Sequence, residues 1–470
     1  MEKVWAEGAV FDEGHDIVEA KWDHIGRHVV FVRYAAPLTD EDDPGDLERV
    51  VQVGVADDGT TVWTRVCGPS SPVVSPDGLL LAHEDRGRHV LVRNIVTAKV
   101  IREVDYSRFG SRIKRLTWSP DSVHVAVEID RESDNVHLFE ARPGSEKTSR
   151  SSGRFLGWNS TGIHFAVTNE PEDWDEPRDV DIVETQSLWA VRRVELESPE
   201  FQWSPDGRKA VVVDSGENPS LRVVSVSRDT KTIIWKMRVA ASMWSPDSSR
   251  VLVREASGGE SGGPPGYLVL DASTGDSTRF SESAGAVDAE GSFQSLGMSW
   301  SPNARHVALT ESWQGPGPSA DEWRSKTRVI VIDTTDPSSI EVIPDALSFI
   351  WSPDGGRGMA CTHSDGMHRA VVGTVGGFEQ LLEVEGSEFE IWDAGTRSDM
   401  PFRLFAIQDV GRTCLELWDP WNGHRIGSIP FTPDEVGHRQ SSVKTVIWSP
   451  DGTRLLIRRT AQRAEVWSRT

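Results

Sequence analysis

The side chains best suited to catalysis or metal binding in this 470-residue chain are thirteen histidines and three cysteines. His28, His124, His164 and His306 each stand six residues after a tryptophan, at Trp22, Trp118, Trp158 and Trp300. Lys209, Arg250 and Arg454 occupy the same place after Trp203, Trp244 and Trp448. A metal centre or an acid–base pair needs side chains that converge, and a position that recurs with a long repeat is spread along the fold instead. The expectation is therefore solvent-facing residues at the start of a strand. Cys67, Cys361 and Cys414 are far apart and lack metal-ligand spacing, which suits a reducing compartment. There is no Gly-x-Ser-x-Gly elbow, no His-Glu-x-x-His and no Gly-rich phosphate loop opening a helix. The Gly-rich run 257–266 reads as a flexible loop between strands. No catalytic residue, metal or cofactor is expected.

The elements that carry these residues announce themselves by repetition. Trp-Ser-Pro-Asp or a near copy begins at Trp118, Trp203, Trp244, Trp300, Trp351 and Trp448. Degenerate copies begin at Trp22, Val74, Trp158 and Trp392, making ten units at blade-like intervals. Ser-Pro-Asp-Gly reads as a type I turn, with Pro presetting φ at the second corner and Gly at the fourth. A β-branched strand follows, such as Ala210-Val211-Val212-Val213. Then comes an alternating strand with an acidic stop, such as Tyr267–Asp271 or Val329–Asp333. Helical periodicity is nearly absent. Short strands arranged this way bury their apolar faces by stacking four-stranded sheets radially.

On these motifs the chain resembles the WD-repeat family and the related WD40-like repeats of the TolB type. The resemblance covers nearly the whole chain and implies an all-β fold, a β-propeller of about ten WD40-like four-stranded blades. Most units lack the Gly-His pair of WD repeats, and only Trp418-Asp419 makes a good Trp-Asp ending. The last unit, from Trp448, has room for two strands. Residues 1–20 are expected to complete it, closing residues 1–470 into one ring, with two smaller rings as the alternative.

The formal charge is −23, from 50 basic and 73 acidic side chains. Such a surface repels nucleic-acid phosphates and anionic lipids, so neither is expected as a partner. The acidic first twenty residues carry no secretory pattern and no apolar run reaches membrane-spanning length, so a cytoplasmic protein is expected. Long insertions follow the second strand: 37–47, 169–179, 257–266 and 312–326. They place Asp42, Asp43, Asp173, Trp174, Asp175, Trp313 and Trp323 on one rim as the candidate partner-binding residues. Exposed Trp beside carboxylates suits an interface. The expected function is a noncatalytic scaffold that binds a protein or peptide of basic character on this acidic face. The alternatives are a propeller enzyme with its site in the central channel, or a TolB-like partner of an envelope system.

Overall fold

A computed structural model describes residues 5–12, 17–35, 47–86, 88–107, 112–130, 135–142, 148–151, 153–168, 179–195, 199–227, 230–256, 266–280, 292–316, 323–364, 367–376, 380–386, 404–407, 414–419, 424–430, 445–450, 453–458 and 463–469. These residues form thirty-nine strands, numbered β1 to β39 in chain order. Among the described residues the strands make ten antiparallel sheets, nine of four strands and one of three. Each sheet is named below by its motif residue. The three-stranded one (residues 404–430) is the exception, because Trp392 lies outside the described residues. No helix among the described residues is long and apolar enough to cross a membrane.

Wherever the motif lies among the described residues, it makes the first hairpin of its sheet by chemistry that the degenerate copies at Trp22 and Trp158 preserve. In the Trp203 sheet, Gly207 N–H donates to Ser204 O at 2.8 Å, closing the turn. Ser204 Oγ then accepts the Lys209 N–H at 3.0 Å, and its own hydroxyl is shared with Asp206 and the Lys209 carbonyl. Ser75, Ser119, Ser245, Ser301, Ser352 and Ser449 accept the N–H five residues on in the same way. Where Ser is missing, another short acceptor replaces it. Asn159 Oδ1 takes the His164 N–H at 3.0 Å, and Asp23 Oδ1 takes those of Arg27 and His28. The fourth turn residue is left-handed, with φ of 70° at Gly207, and Ser122, Ser248 and Ala304 tolerate the same conformation.

Consecutive sheets are joined by the motif tryptophan. The Trp118 indole donates to Val73 O, Trp244 to Gln202 O, Trp300 to Met243 O and Trp22 to Ile447 O, at 2.9–3.2 Å. In each case the acceptor immediately precedes the motif residue of the neighbouring sheet. Trp351 donates to Ser299 Oγ, one residue before Trp300. The residue six places after the motif Trp completes the joint from the other side, and here the structure differs from the solvent-facing expectation. His306 stacks on Trp351 with ring centroids 6.2 Å apart, His124 lies on Trp158, and the Arg250 guanidinium lies over Trp300. Arg250 also donates to Ala304 O and Thr334 Oγ1, Lys209 to Ala272 O, and Arg454 to Gly26 O. A long or flat side chain at this position is needed to cover the next indole, so these histidines are half-buried or buried. Burial pushes the pKa of His124, His164 and His306 down.

The chain divides into two compact units. The first comprises residues 3–196 with 437–470, and the second residues 197–436. Each contains five of the sheets. In the first unit, β1 (Trp5–Asp12) pairs antiparallel with β39 (Arg463–Arg469), Trp5 opposite Arg469 and Phe11 opposite Ala464. The next strand, Ile17–Trp22, opens the Trp22 sheet. Cores run between successive sheets. One joins Val90, Val92 and Tyr106 to Trp118, Val125 and Val127, and another in the second unit joins Val211 and Leu221 to Trp244, Val251 and Leu270.

Candidate interaction surfaces

Of the residues assigned to a partner-binding rim, Asp42, Asp43, Asp173, Trp174 and Asp175 lie outside the described residues. Of the 312–326 insertion, residues 312–316 and 323–326 are strand. β27 (His306–Pro316) and β28 (Trp323–Asp333) pair through Pro316 opposite Trp323. Two eleven-residue strands make this hairpin, which an insertion count alone does not distinguish from a loop. Trp313 lies within β27 and is 7% exposed, so it is not an exposed loop residue. The Trp323 side chain lies outside what the structure describes.

The exposed apolar side chains collect elsewhere. In an antiparallel meander the turns after the first and third strands share one end of the sheet, here called the motif end. In the first unit this end carries Ile25, Leu79, Val96, Ile163, Leu188 and Trp189, all exposed. Trp189 is 77% exposed and Ile163 54%. The backbone holds them together. Thr185 N–H donates to Ile163 O and Thr185 Oγ1 to Gly162 O, both at 2.8 Å, tying the Leu188–Trp189 turn to the motif turn. Ile95 N–H likewise donates to Leu79 O. Neighbouring motif turns also touch. A Cβ on Gly78 would come within 2.5 Å of the His24 nitrogen, Asp77 N–H donates to Ser122 Oγ, and Gly162 packs on the Asp121 carboxyl. Exposed apolar residues of the Trp22, Val74 and Trp158 sheets, with half-buried Val123 on the Trp118 sheet among them, therefore follow one arc. The equivalent positions of the second unit, Arg208, Ser249, Arg305 and Gly356, carry no apolar side chain.

Sequence reasoning missed this arc because it weighed insertion length. The readable feature was a column: the residue after the left-handed turn position is Leu79, Val123 and Ile163 in three consecutive repeats. Trp189 had no such cue, since its Thr-Gln-Ser-Leu-Trp turn matches no neighbouring repeat.

The buried titratable groups have structural partners. His83, 2% exposed, accepts from Arg93 Nε at Nε2, 3.0 Å away, while its Nδ1 lies 3.1 Å from Glu84 O. Nδ1 therefore carries the proton, and burial lowers the pKa to about 4. Burial pushes the Cys67 thiol up to about 12 and Cys361 to about 11, so both stay protonated. A cavity of about 640 Å³ at the motif end of the Trp300 sheet is lined by Arg305, His306, Asp333, Ser338 and Val375 among others. Burial acts to raise the Asp333 pKa, but hydrogen bonds from Thr335 and Arg305 outweigh it and leave it at about 2. A carboxylate so committed is a poor general base at neutral pH. Among the described residues, no three His, Cys, Asp or Glu side chains gather as a metal would require.

No protein-family model matches the sequence, and no curated protein matches it significantly. Solved structures are similar in fold. The crystal structure of a eukaryotic initiation factor is 13% identical with a TM-score of 0.50, covering 80% of this chain and 89% of that one. The C-terminal WD40 domain of Sif2 is 11% identical with a TM-score of 0.40, covering 100% and 99%. Repeated four-stranded meanders joined by motif tryptophans, together with the first of these likenesses, give the chain a β-propeller fold.

Proposed function

We propose that the protein is a noncatalytic interaction scaffold of the WD-repeat type, holding a protein or peptide partner on its surface. The observation that carries this reading is the apolar arc of the first unit, with Trp189 at 77% exposure. Exposed large apolar side chains scattered singly need no explanation, but a contiguous group built around Trp does. Trp is also the residue most enriched where binding energy concentrates. A partner segment with an apolar anchor fits this end.

The acidic insertions that follow the second strands would supply a second contact, at the other end of their sheets. Asp42, Asp43, Asp173 and Asp175 would draw in a partner with a basic surface, and Trp174 and Trp323 would slow its release. Two ends with different chemistry suit a scaffold that joins two proteins. The test is affinity capture from the native host, comparing the parent chain with Leu188→Ser/Trp189→Ser and with a variant neutralised at the four aspartates. Loss of a different partner from each variant supports the reading. Capture that is the same for all three chains overturns it.

A further inference from the structure

Trp313 has a hydrogen-bond donor with nothing to bond. Its side chain is 93% buried, as its 7% exposure requires, and the indole N–H has no partner. A buried donor left this way is unfavourable unless something arrives to accept from it. The indole borders a cavity of about 140 Å³ whose other walls include Glu311, Lys326, Arg328, Val342 and Pro344. The register explains the grouping. Trp313 stands opposite Lys326, Glu311 opposite Arg328, and Arg328 opposite Pro344, so these side chains share one face of the sheet.

Two of the charged groups are spent on each other. Arg328 Nε and the Glu311 carboxylate lie 3.0 Å apart, both largely buried. Lys326 is exposed, with its ammonium 5.9 Å from the Trp313 ring, and no carboxylate among the described residues lies within ion-pair distance of it. The cavity thus offers an apolar wall of Trp313, Val342 and Pro344 and two donors, one neutral and one cationic. Asp345, on the rim, is exposed and has a left-handed φ of 56° that turns the chain away from the sheet.

That departure leaves an edge. β29 (Asp336–Pro344) pairs with β28 only from Arg328 onward, so Trp323–Thr327 has β27 on one side and no strand among the described residues on the other. An open edge is a template for a further strand. The geometry points to a docking groove for an extended peptide that continues where β29 leaves, carrying a glutamate opposite Lys326. The glutamate stem fills the apolar cavity, and its carboxylate accepts from the Trp313 indole and pairs with Lys326. Cross-strand pairs of opposite charge are the ordinary unit of sheet stabilisation. This site takes an acidic ligand; it lies apart from the apolar arc and adjoins, through Trp323, the second surface proposed above.

The probe is the acetylated, amidated pentapeptide Thr-Val-Glu-Val-Thr, with its Gln counterpart as control. The readout is the Trp313 indole N–H resonance of the full chain, identified by its loss in Trp313→Phe. The Glu peptide should move this resonance saturably. Loss of a charge-assisted hydrogen bond should weaken the Gln peptide about tenfold, and Lys326→Gln should weaken the Glu peptide by a similar factor. Trp313→Phe keeps an aromatic ring and removes the donor, so titration calorimetry on this variant should show weaker binding of the Glu peptide at the melting temperature of the parent. If that variant is destabilised, the two peptides on the parent chain still decide. No saturable movement, or equal affinity for both peptides, overturns the proposal.

Discussion

At the position after the left-handed turn residue, the first unit presents Arg27 and then Leu79, Val123 and Ile163, and the second presents Arg208, Ser249, Arg305 and Gly356. The backbone there does the same work in both. Its carbonyl accepts an N–H from the third-strand turn: Ile95 to Leu79, Ala141 to Val123, Thr185 to Ile163, and likewise Val226 to Arg208, Ala272 to Ser249, Thr334 to Arg305 and Val375 to Gly356. The turn conscripts only the carbonyl and leaves the choice of side chain open, although Arg305 goes on to donate to Asp333. Three apolar choices in a row on one unit, and none on the other, therefore report on what each surface meets. Inside the sheets there is less freedom, because Trp22, Trp118, Trp244, Trp300 and Trp351 each reach a defined acceptor on a neighbouring sheet.

That contrast is broken or sharpened most severely from the inside. Trp118→Ala and Trp351→Ala should each cost about 3–5 kcal/mol, as buried aromatic truncations do. Both indoles are under 10% exposed and hydrogen-bonded across a joint, one in each unit. Urea unfolding that penalises one and spares the other would mean that the units are not built alike.

A buried histidine gives the next effect. His83 is held near a pKa of about 4, against 6.5 when unfolded, so the unfolded chain binds more protons between these values. Its contribution is intact above pH 6.5 and is lost as pH falls toward 4, on the order of 3 kcal/mol in all. His306 in the second unit is shifted in the same direction. Stability measured from pH 7 to pH 4 should decline, and His83→Gln should flatten the decline. An unchanged slope would show that His83 titrates alike in the folded and unfolded chain.

Removing residues 1–12 should cost less. It uncovers the edge of β39, where Ala464 and Val466 are fully buried. Exposing roughly 100 Å² of apolar surface amounts to about 2–3 kcal/mol. A melting temperature equal to that of the parent would deny β1 a structural role.

Most of the fold was legible because the motif specifies its own hydrogen bonds. Ser204 and Asp206 fix a turn wherever they recur, and the β-branched run after them becomes the second strand. The joint between sheets was less legible. His306 and Arg250 look like unrelated surface residues until the next indole is seen beneath them. The β27–β28 hairpin was hidden by its length, since so long a strand looks like an insertion. Site residues were harder still: Trp189 and Trp313 belong to no recurring motif, and exposure is a property of neighbours. Asp42, Asp43, Asp173, Trp174 and Asp175 stand in the insertions the sequence singled out, beyond the described residues.

The smallest effect on stability should accompany the largest effect on function. Ile163→Ser, Leu188→Ser and Trp189→Ser alter exposed side chains and should each change stability by no more than about 0.5 kcal/mol. The matched change in the second unit, Arg208→Ser, should be equally mild. The decisive measurement is binding kinetics of a partner captured by the parent chain, using the Leu188→Ser/Trp189→Ser variant and Arg208→Ser at the melting temperature of the parent. The account predicts that dissociation quickens by about tenfold or more for the first variant, as for loss of an aromatic anchor, and is unchanged for the second. Equal residence times on both variants would contradict it.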